Sequence, residues 1–326
     1  MRDSFGREIN YLRISVTDRC NLRCAYCMPM NGLTFVPNSD LLTAKELEQV
    51  VGAAVDVGFN KVRLTGGEPT LRRDIVEIVH LLANVPGIDK LVMTTNGYRL
   101  PYIARDLANA GLSRVNIHVD TIDQKSLAKL MRLGSYEKAW AGIEAAEKAG
   151  LTPLKLNAVI TRGYNDEAAV ELTKLTLDKP WQIRFIELMP FAGPTEIQLD
   201  HYVSSDEIKG RIEQEFGPLF ELNEGSLDGE ARVFRLAGAE GTVGFISPVS
   251  NPYCDDCNRM RLTADGRLRM CLLSDQEINF RKTLRSGGTH QDLVSLFERA
   301  IRVKPVGHKL KHGIYPQERT MSQIGG

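Results

Sequence analysis

The residues in this 326-residue chain best suited to chemistry are six cysteines, which fall into two sets of three. Cys20, Cys24 and Cys27 form a C-x3-C-x2-C run, and Cys254, Cys257 and Cys271 form C-x2-C-x13-C. Each set is one thiolate short of the four that a closed zinc or iron–sulfur site takes. Three protein ligands on a four-iron cube leave one iron able to bind something else, as a catalytic metal keeps an open position. The second set has a geometric rationale. Asp265-Gly266, between alternating residues, predicts a two-residue hairpin turn. Ala264 then faces Arg267, and Cys271 lands opposite Met260, close to Cys257. A pair of structural zinc sites completed by histidine is the alternative. The six histidines are His80, His118, His201, His290, His308 and His312; the last two are four apart, and none lies within either cysteine run.

Composition narrows the setting. Lys+Arg and Asp+Glu both number 41, hydrophobic residues make up 43% and charged residues 25%. These are globular values with enough apolar material for a core. A neutral chain argues against a strongly basic nucleic-acid binder. No apolar run approaches the roughly 18 residues that cross a bilayer. The opening MRDSFGREINYLRISV lacks a charged segment followed by an apolar stretch and a small-residue cleavage site. A cytoplasmic location is expected, where cysteines stay reduced and disulfides are a poor first guess.

The elements that must position the cysteines follow a repeated rhythm. Segments 11–17, 61–65, 90–95, 114–120, 154–161 and 182–188 read as short buried strands. Thr43 to Glu46 is a capping box opening a helix that Gly58 ends. The stretches 71–84, 101–110, 136–149 and 166–178 read as further helices. This alternation predicts parallel βαβ units. Six units are too few for a closed eight-stranded barrel. The expected fold is α/β, an incomplete (β/α)6 TIM-like barrel over residues 1–200. A C-terminal α+β extension over residues 201–326 covers the barrel mouth, with a helix at 204–216, strands at 231–236 and 241–246, the cysteine hairpin and a helix near 290–303. The first cysteine set, Gly66-Gly67-Glu68-Pro69, Thr94, His118 and Glu187-Leu188-Met189-Pro190 all fall at or near strand carboxyl ends, where barrel enzymes place their chemistry. Arg13, Arg63 and Lys155 lie inside strands, where a charge is costly unless it faces a polar lumen. Arg184 is a further strand residue of this kind, and Arg259 and Arg261 alternate with Met260 and Leu262, so they share a face.

With an aromatic residue, Tyr26, just before its last cysteine, the first run resembles that of the radical S-adenosylmethionine enzymes, and GGEP at 66–69 strengthens the likeness. The match extends along nearly the whole chain. YLRISVTDRCNLRCAYC, RLTGGEPTLRRD, TTNGYRL, RFIELMP, CDDCNRMRLTADGRLRMCL and the terminal IGG together resemble the GTP 3′,8-cyclase family of molybdenum cofactor biosynthesis. The resemblance implies a [4Fe–4S] cluster on Cys20, Cys24 and Cys27 whose open iron is chelated by S-adenosylmethionine, and a second [4Fe–4S] cluster on Cys254, Cys257 and Cys271 that holds guanine. It implies that a 5′-deoxyadenosyl radical abstracts the ribose 3′ hydrogen of GTP, after which the sugar radical attacks C8. It implies cofactor contacts at Tyr26, Gly66, Gly67, Glu68, His118 and Met189, although VNIH stands where the family often reads VNxS. GTP contacts are implied at Arg13, Arg63, Thr94, Lys155, Arg184, Arg259, Met260 and Arg261. Arg13, Arg259, Arg261 and the tail Gly325-Gly326 are implied to assist catalysis. The implied partners are a flavodoxin- or ferredoxin-like reductant and a downstream cyclic pyranopterin monophosphate synthase, with no nucleic acid and no membrane; monomer or homodimer stays open. Another radical enzyme with an auxiliary cluster, such as a peptide-modifying one, remains the competing reading.

Overall fold

The computed structural model describes residues 1–191, 197, 199–222 and 226–325. Six parallel strands open the fold: β1 (Tyr11–Ser15), β2 (Lys61–Thr65), β3 (Lys90–Thr95), β4 (Arg114–His118), β5 (Lys155–Val159) and β6 (Gln182–Ile186). Between them run α1 (Ala44–Asp56), α2 (Ile75–Ala83), α3 (Leu100–Asn109), α4 (Gln124–Leu130), α5 (Tyr136–Lys148) and α6 (Ala168–Asp178). The capping box forms, with the Thr43 hydroxyl accepting from Glu46 N and the Glu46 carboxylate from Thr43 N. Then follow α7 (Ser205–Phe216), β7 (Leu219–Leu222), β8 (Arg232–Leu236), β9 (Thr242–Ile246), β10 (Arg259–Leu262), β11 (Arg267–Arg269), β12 (Glu277–Asn279), α8 (Phe280–Arg285), α9 (His290–Arg302) and α10 (Met321–Ile324).

The strands make one open α/β sheet in the order β12-β11-β10-β1-β2-β3-β4-β5-β6-β9-β8-β7. The chain's second half returns to both edges, since β10 pairs parallel to β1 and β9 parallel to β6. Register divides the sheet into two chemically different faces. Leu12, Val62, Leu91, Val115, Leu156, Ile183, Val243 and Met260 belong to one main apolar core with the helices. Their alternates align across neighbouring strands on the other face: Arg13 with Arg63 and Arg261, Thr94 with Asn116, Asn116 with Lys155, and Asn157 with Arg184. Parallel strands buried on both sides usually read as continuous apolar runs. Here alternation survives because one face lines a polar cavity.

Two expectations change. The turn after β10 is a three-residue loop, not a two-residue one. Thr263 N donates to Arg267 O (2.8 Å) and Gly266 N to Thr263 O (2.9 Å). The Thr263 hydroxyl meanwhile accepts from Arg267 N (2.9 Å) and donates to Asp265 Oδ1 (2.6 Å), which draws the extra residue into the loop. Arg261 therefore faces Arg269, and the same register carried two residues further sets Cys271 opposite Arg259 instead of Met260. A one-residue slip exchanges faces, so Cys271 joins the arginine side. Second, α4 was not foreseen. It is short, capped by Asp123 Oδ2 accepting from Ser126 N (2.7 Å). It seats the first cysteine loop: Leu127 and Met131 pack with Leu22, Cys20 and Cys24, and Ala25 N donates to Leu130 O (2.8 Å).

Candidate active site

A cavity opens on the polar face of the sheet. Cys20, Cys24 and Cys27 line it, together with Tyr26, Gly66, Gly67, Glu68, Thr94, His118, Met189, Arg13, Arg63, Arg184 and Arg261. A second cavity is lined by Cys254, Cys257, Cys271, Met260 and Arg259. The two abut, with Met189, Tyr253, Arg261 and Leu272 forming a wall common to both. Met260 alone among the foreseen contacts has its side chain in the apolar core.

The first cysteine loop is laid against the end of β2 by backbone contact. Gly67 N donates to Thr17 O (2.7 Å) and Glu68 N to Arg19 O (2.7 Å). A Cβ on Gly67 would stand 2.3 Å from Arg19 O, so only glycine lets the two segments meet. Glu68 is buried, and its carboxylate accepts from Thr95 Oγ1 (2.7 Å), Asn96 N (2.7 Å) and Thr70 N (3.0 Å). It braces the loop to the end of β3 while bordering the cavity. At the end of β4, His118 Nε2 lies 2.9 Å from Asp120 Oδ2 and 2.6 Å from the Tyr26 hydroxyl, which also donates to Asp120 (2.7 Å). Burial lowers the His118 pKa and Asp120 more than reverses this, leaving it raised.

The donor sets suit metal. Burial pushes the Cys20 thiol up to about 11 and Cys27 to about 12, and raises Cys24 well above the usual thiol range. Such thiols stay protonated unless a cation enters among them and displaces the protons. The tail reaches this trio, because Ser322 in α10 hydrogen-bonds Cys27. In the same cavity Asn157 Oδ1 is buried with no hydrogen-bond partner among the described residues, an acceptor left for a ligand. In the second trio burial raises Cys254 and Cys271, whereas at Cys257 Lys304 and Arg259 overcome burial and lower the pKa. The residues fit a metal cluster at each trio.

Between the trios lies a field of cations. Arg63 Nε donates to the Tyr11 hydroxyl and its Nη1 to Thr94 Oγ1 (3.0 Å). With its amide oxygen turned toward them, Asn116 accepts from Arg63 (3.0 Å) and Arg184 (3.2 Å). Arg261 Nη1 donates to Gly325 O (2.8 Å), tying the tail to β10. Gly326 lies outside the described residues. Arg259 stacks over Tyr253 at 4.9 Å. Burial and Arg13 depress Arg261 to about 9, and burial and Arg184 depress Lys155 to about 8. Both shifts mark cations held out of water, and secondarily beside other cations. Sequence reasoning missed the two carboxylates in this field. Asp228 pairs with Lys155, and Glu230 pairs with Arg259 (3.0 Å), Arg13 (3.2 Å) and Arg184 (3.4 Å). Burial raises the Glu230 pKa, yet these arginines hold it well below the usual range. Tyr11 and Lys304 were missed as well; a tyrosine opening a strand carries no signal until the register pairs it with Lys61, two residues before Arg63 on β2.

Two family models cover the chain, one for the radical SAM superfamily over residues 14–176 and one described as Molybdenum Cofactor Synthesis C over residues 181–310. A GTP 3′,8-cyclase from Moorella thermoacetica is 46% identical over 326 residues, all of both chains. One from Pelotomaculum thermopropionicum is 45% identical over the same full span. Among solved structures, Streptococcus suis SuiB bound to S-adenosylmethionine superposes with a TM-score of 0.61 at 17% identity, covering 89% of this chain and 65% of that one, a likeness of fold. With a thiol trio at each end of one cationic face and full-length identity of this order, the chain belongs to the GTP 3′,8-cyclase family of the radical SAM superfamily.

Proposed function

We propose that this chain converts GTP to 3′,8-cyclo-7,8-dihydroguanosine 5′-triphosphate, the first step of molybdenum cofactor biosynthesis. One observation carries the reading: two cysteine trios line adjoining cavities whose common wall includes Arg261, on a sheet face crowded with cations. In this reading Cys20, Cys24 and Cys27 hold one [4Fe–4S] cluster, and Cys254, Cys257 and Cys271 a second. With S-adenosylmethionine, the first supplies a 5′-deoxyadenosyl radical. Gly66 and Gly67 keep the wall thin for the cofactor's methionine end, while Tyr26, Glu68, His118 and Met189 complete its pocket.

The remaining residues bind and orient GTP. Arg13, Arg63, Lys155, Arg184, Arg259 and Arg261 outnumber Asp228 and Glu230 on that face, which suits a polyanion. Arginine offers paired donors to phosphate oxygens, and a bound anion would restore the depressed basicity of Arg261 and Lys155. Thr94 positions Arg63. Met260, its side chain in the core, would meet substrate only through its main chain. The tail up to Gly325 passes Cys27 and holds Arg261, so it links the two ends of the site. The open sheet is read as a curled (β/α)6 partial barrel over 1–200, with 201–326 closing its mouth. Among the described residues no helix is long and apolar enough to cross a membrane; a cytoplasmic enzyme is proposed, served by a flavodoxin- or ferredoxin-like reductant and followed by a cyclic pyranopterin monophosphate synthase.

The test is anaerobic reconstitution followed by incubation with reductant, S-adenosylmethionine and GTP. The reading expects 5′-deoxyadenosine and the cyclised nucleotide in equal yield. Deoxyadenosine with unchanged GTP, or a colourless zinc protein, would overturn it.

A further inference from the structure

Two buried cations serve the second cysteine trio, and they are built differently. Arg7 Nη1 donates to Cys254 O (2.7 Å) and Val306 O (2.7 Å), and its Nη2 to Pro305 O (2.7 Å). Its charge is matched by Asp3, 2.6 Å away. Arg7 is therefore a neutralised staple for the loop. Lys304, two residues beyond α9, is 3% exposed. Its Nζ donates to Arg259 O (2.8 Å) and Met270 O (2.7 Å), and its third donor points at Cys257 Sγ (3.6 Å). Among the described residues it forms no ion pair with a carboxylate. A buried ammonium without a counter-ion is costly, and a pure staple could be built as Arg7 is.

The three atoms Lys304 holds are informative. Arg259 opens β10, Met270 immediately precedes Cys271, and Cys257 is a member of the trio itself. One ammonium thus joins the backbone on both sides of the trio and presents its charge to sulfur. The following residues continue the enclosure. A Cβ on Gly307 would lie 3.1 Å from Cys254 Sγ, and His308 caps the same cavity with its ring on Pro248 O (2.9 Å).

We propose that Lys304 is a positioning residue for the second cluster, whose ammonium donates to the Cys257 sulfur and raises the cluster's reduction potential. The inference rests on the cyclase reading, which places a [4Fe–4S] cluster on this trio. Reduction adds one negative charge to such a cluster, so a nearby cation and an N–H···S hydrogen bond stabilise the reduced form more than the oxidised form. A merely structural lysine would affect iron retention without setting the potential.

The experiment is an anaerobic redox titration of the full-length holoenzyme, followed by electron paramagnetic resonance. The first cluster is identified by the change in its signal when S-adenosylmethionine is added. Lys304→Met and Lys304→Gln should both shift the second cluster to lower potential, the Gln variant by less because it keeps a donor. Lys304→Arg, which keeps the charge, should stay near wild type. If the Met variant loses iron, the Gln and Arg variants still decide the matter. Equal potentials in every iron-loaded variant would overturn the inference. A wild-type chain with only about four iron atoms, one cluster's complement, would instead overturn the cyclase reading beneath it.

Discussion

Replacing Gly325 with alanine tests how the tail acts. Gly325 has φ +87°, and its carbonyl accepts from Arg261 Nη1 at 2.8 Å. An added Cβ would stand 2.5 Å from Thr65 Oγ1 and 2.8 Å from Ser15 Cβ, both on strands that cannot yield easily. The left-handed backbone costs a residue with a side chain about 1–2 kcal/mol. Crowding adds about 1–3 kcal/mol, and losing a charge-assisted hydrogen bond about 1.5–3 kcal/mol. Even the low ends sum to about 3.5 kcal/mol, roughly a three-hundredfold loss of the docked tail. The tail is carried by α10, a single turn, so the chain releases it instead of unfolding. The expected result is cyclisation roughly three-hundredfold slower, with the melting temperature barely moved and 5′-deoxyadenosine still forming. Both products are read from one chromatogram. Cyclisation at the wild-type rate would refute the argument that the docked tail orients Arg261.

Other perturbations address other parts. Gly67→Ala should displace the Arg19 carbonyl, since its Cβ would sit 2.3 Å away, and lower stability by about 1–3 kcal/mol while weakening S-adenosylmethionine binding; thermal melts and equilibrium dialysis check both. Cys254→Ser should abolish most GTP turnover while the first cluster assembles normally, and equal iron loss from both sites by elemental analysis would contradict independent sites. Lys155, depressed to about 8 by burial and Arg184, loses its charge as pH rises through that value. The KM for GTP should therefore climb above pH about 8, and that limb should vanish in Lys155→Gln; an unchanged limb assigns it elsewhere.

Much of the site was legible because the strands break their own pattern. Arg13, Arg63, Lys155 and Arg184 interrupt apolar strands at period two, and only a polar face explains them. The cysteine spacing and the capping box at Thr43 were equally local signals. What escaped depended on distant partners. Asp228 and Glu230 sit in a turn just before β8, and nothing nearby in sequence says that arginines from β1, β6 and β10 converge on Glu230 or that Lys155 of β5 meets Asp228. Lys304 looks like the solvated end of a helix until the fold buries it against Cys257. The hairpin register slipped by one because the Thr263 side chain took an amide that a rule for two-residue turns assigns to the main chain. Helix α4, a single short amphipathic stretch, owes its existence to the cysteine loop packed upon it.

The central claim is that a substrate spanning the two trios presents its ribose to the first. GTP deuterated at C3′ measures this directly when supplied to the reduced holoenzyme with unlabelled S-adenosylmethionine. The account predicts 5′-deoxyadenosine carrying one deuterium by mass spectrometry, whereas unlabelled 5′-deoxyadenosine formed alongside the cyclised product would contradict it.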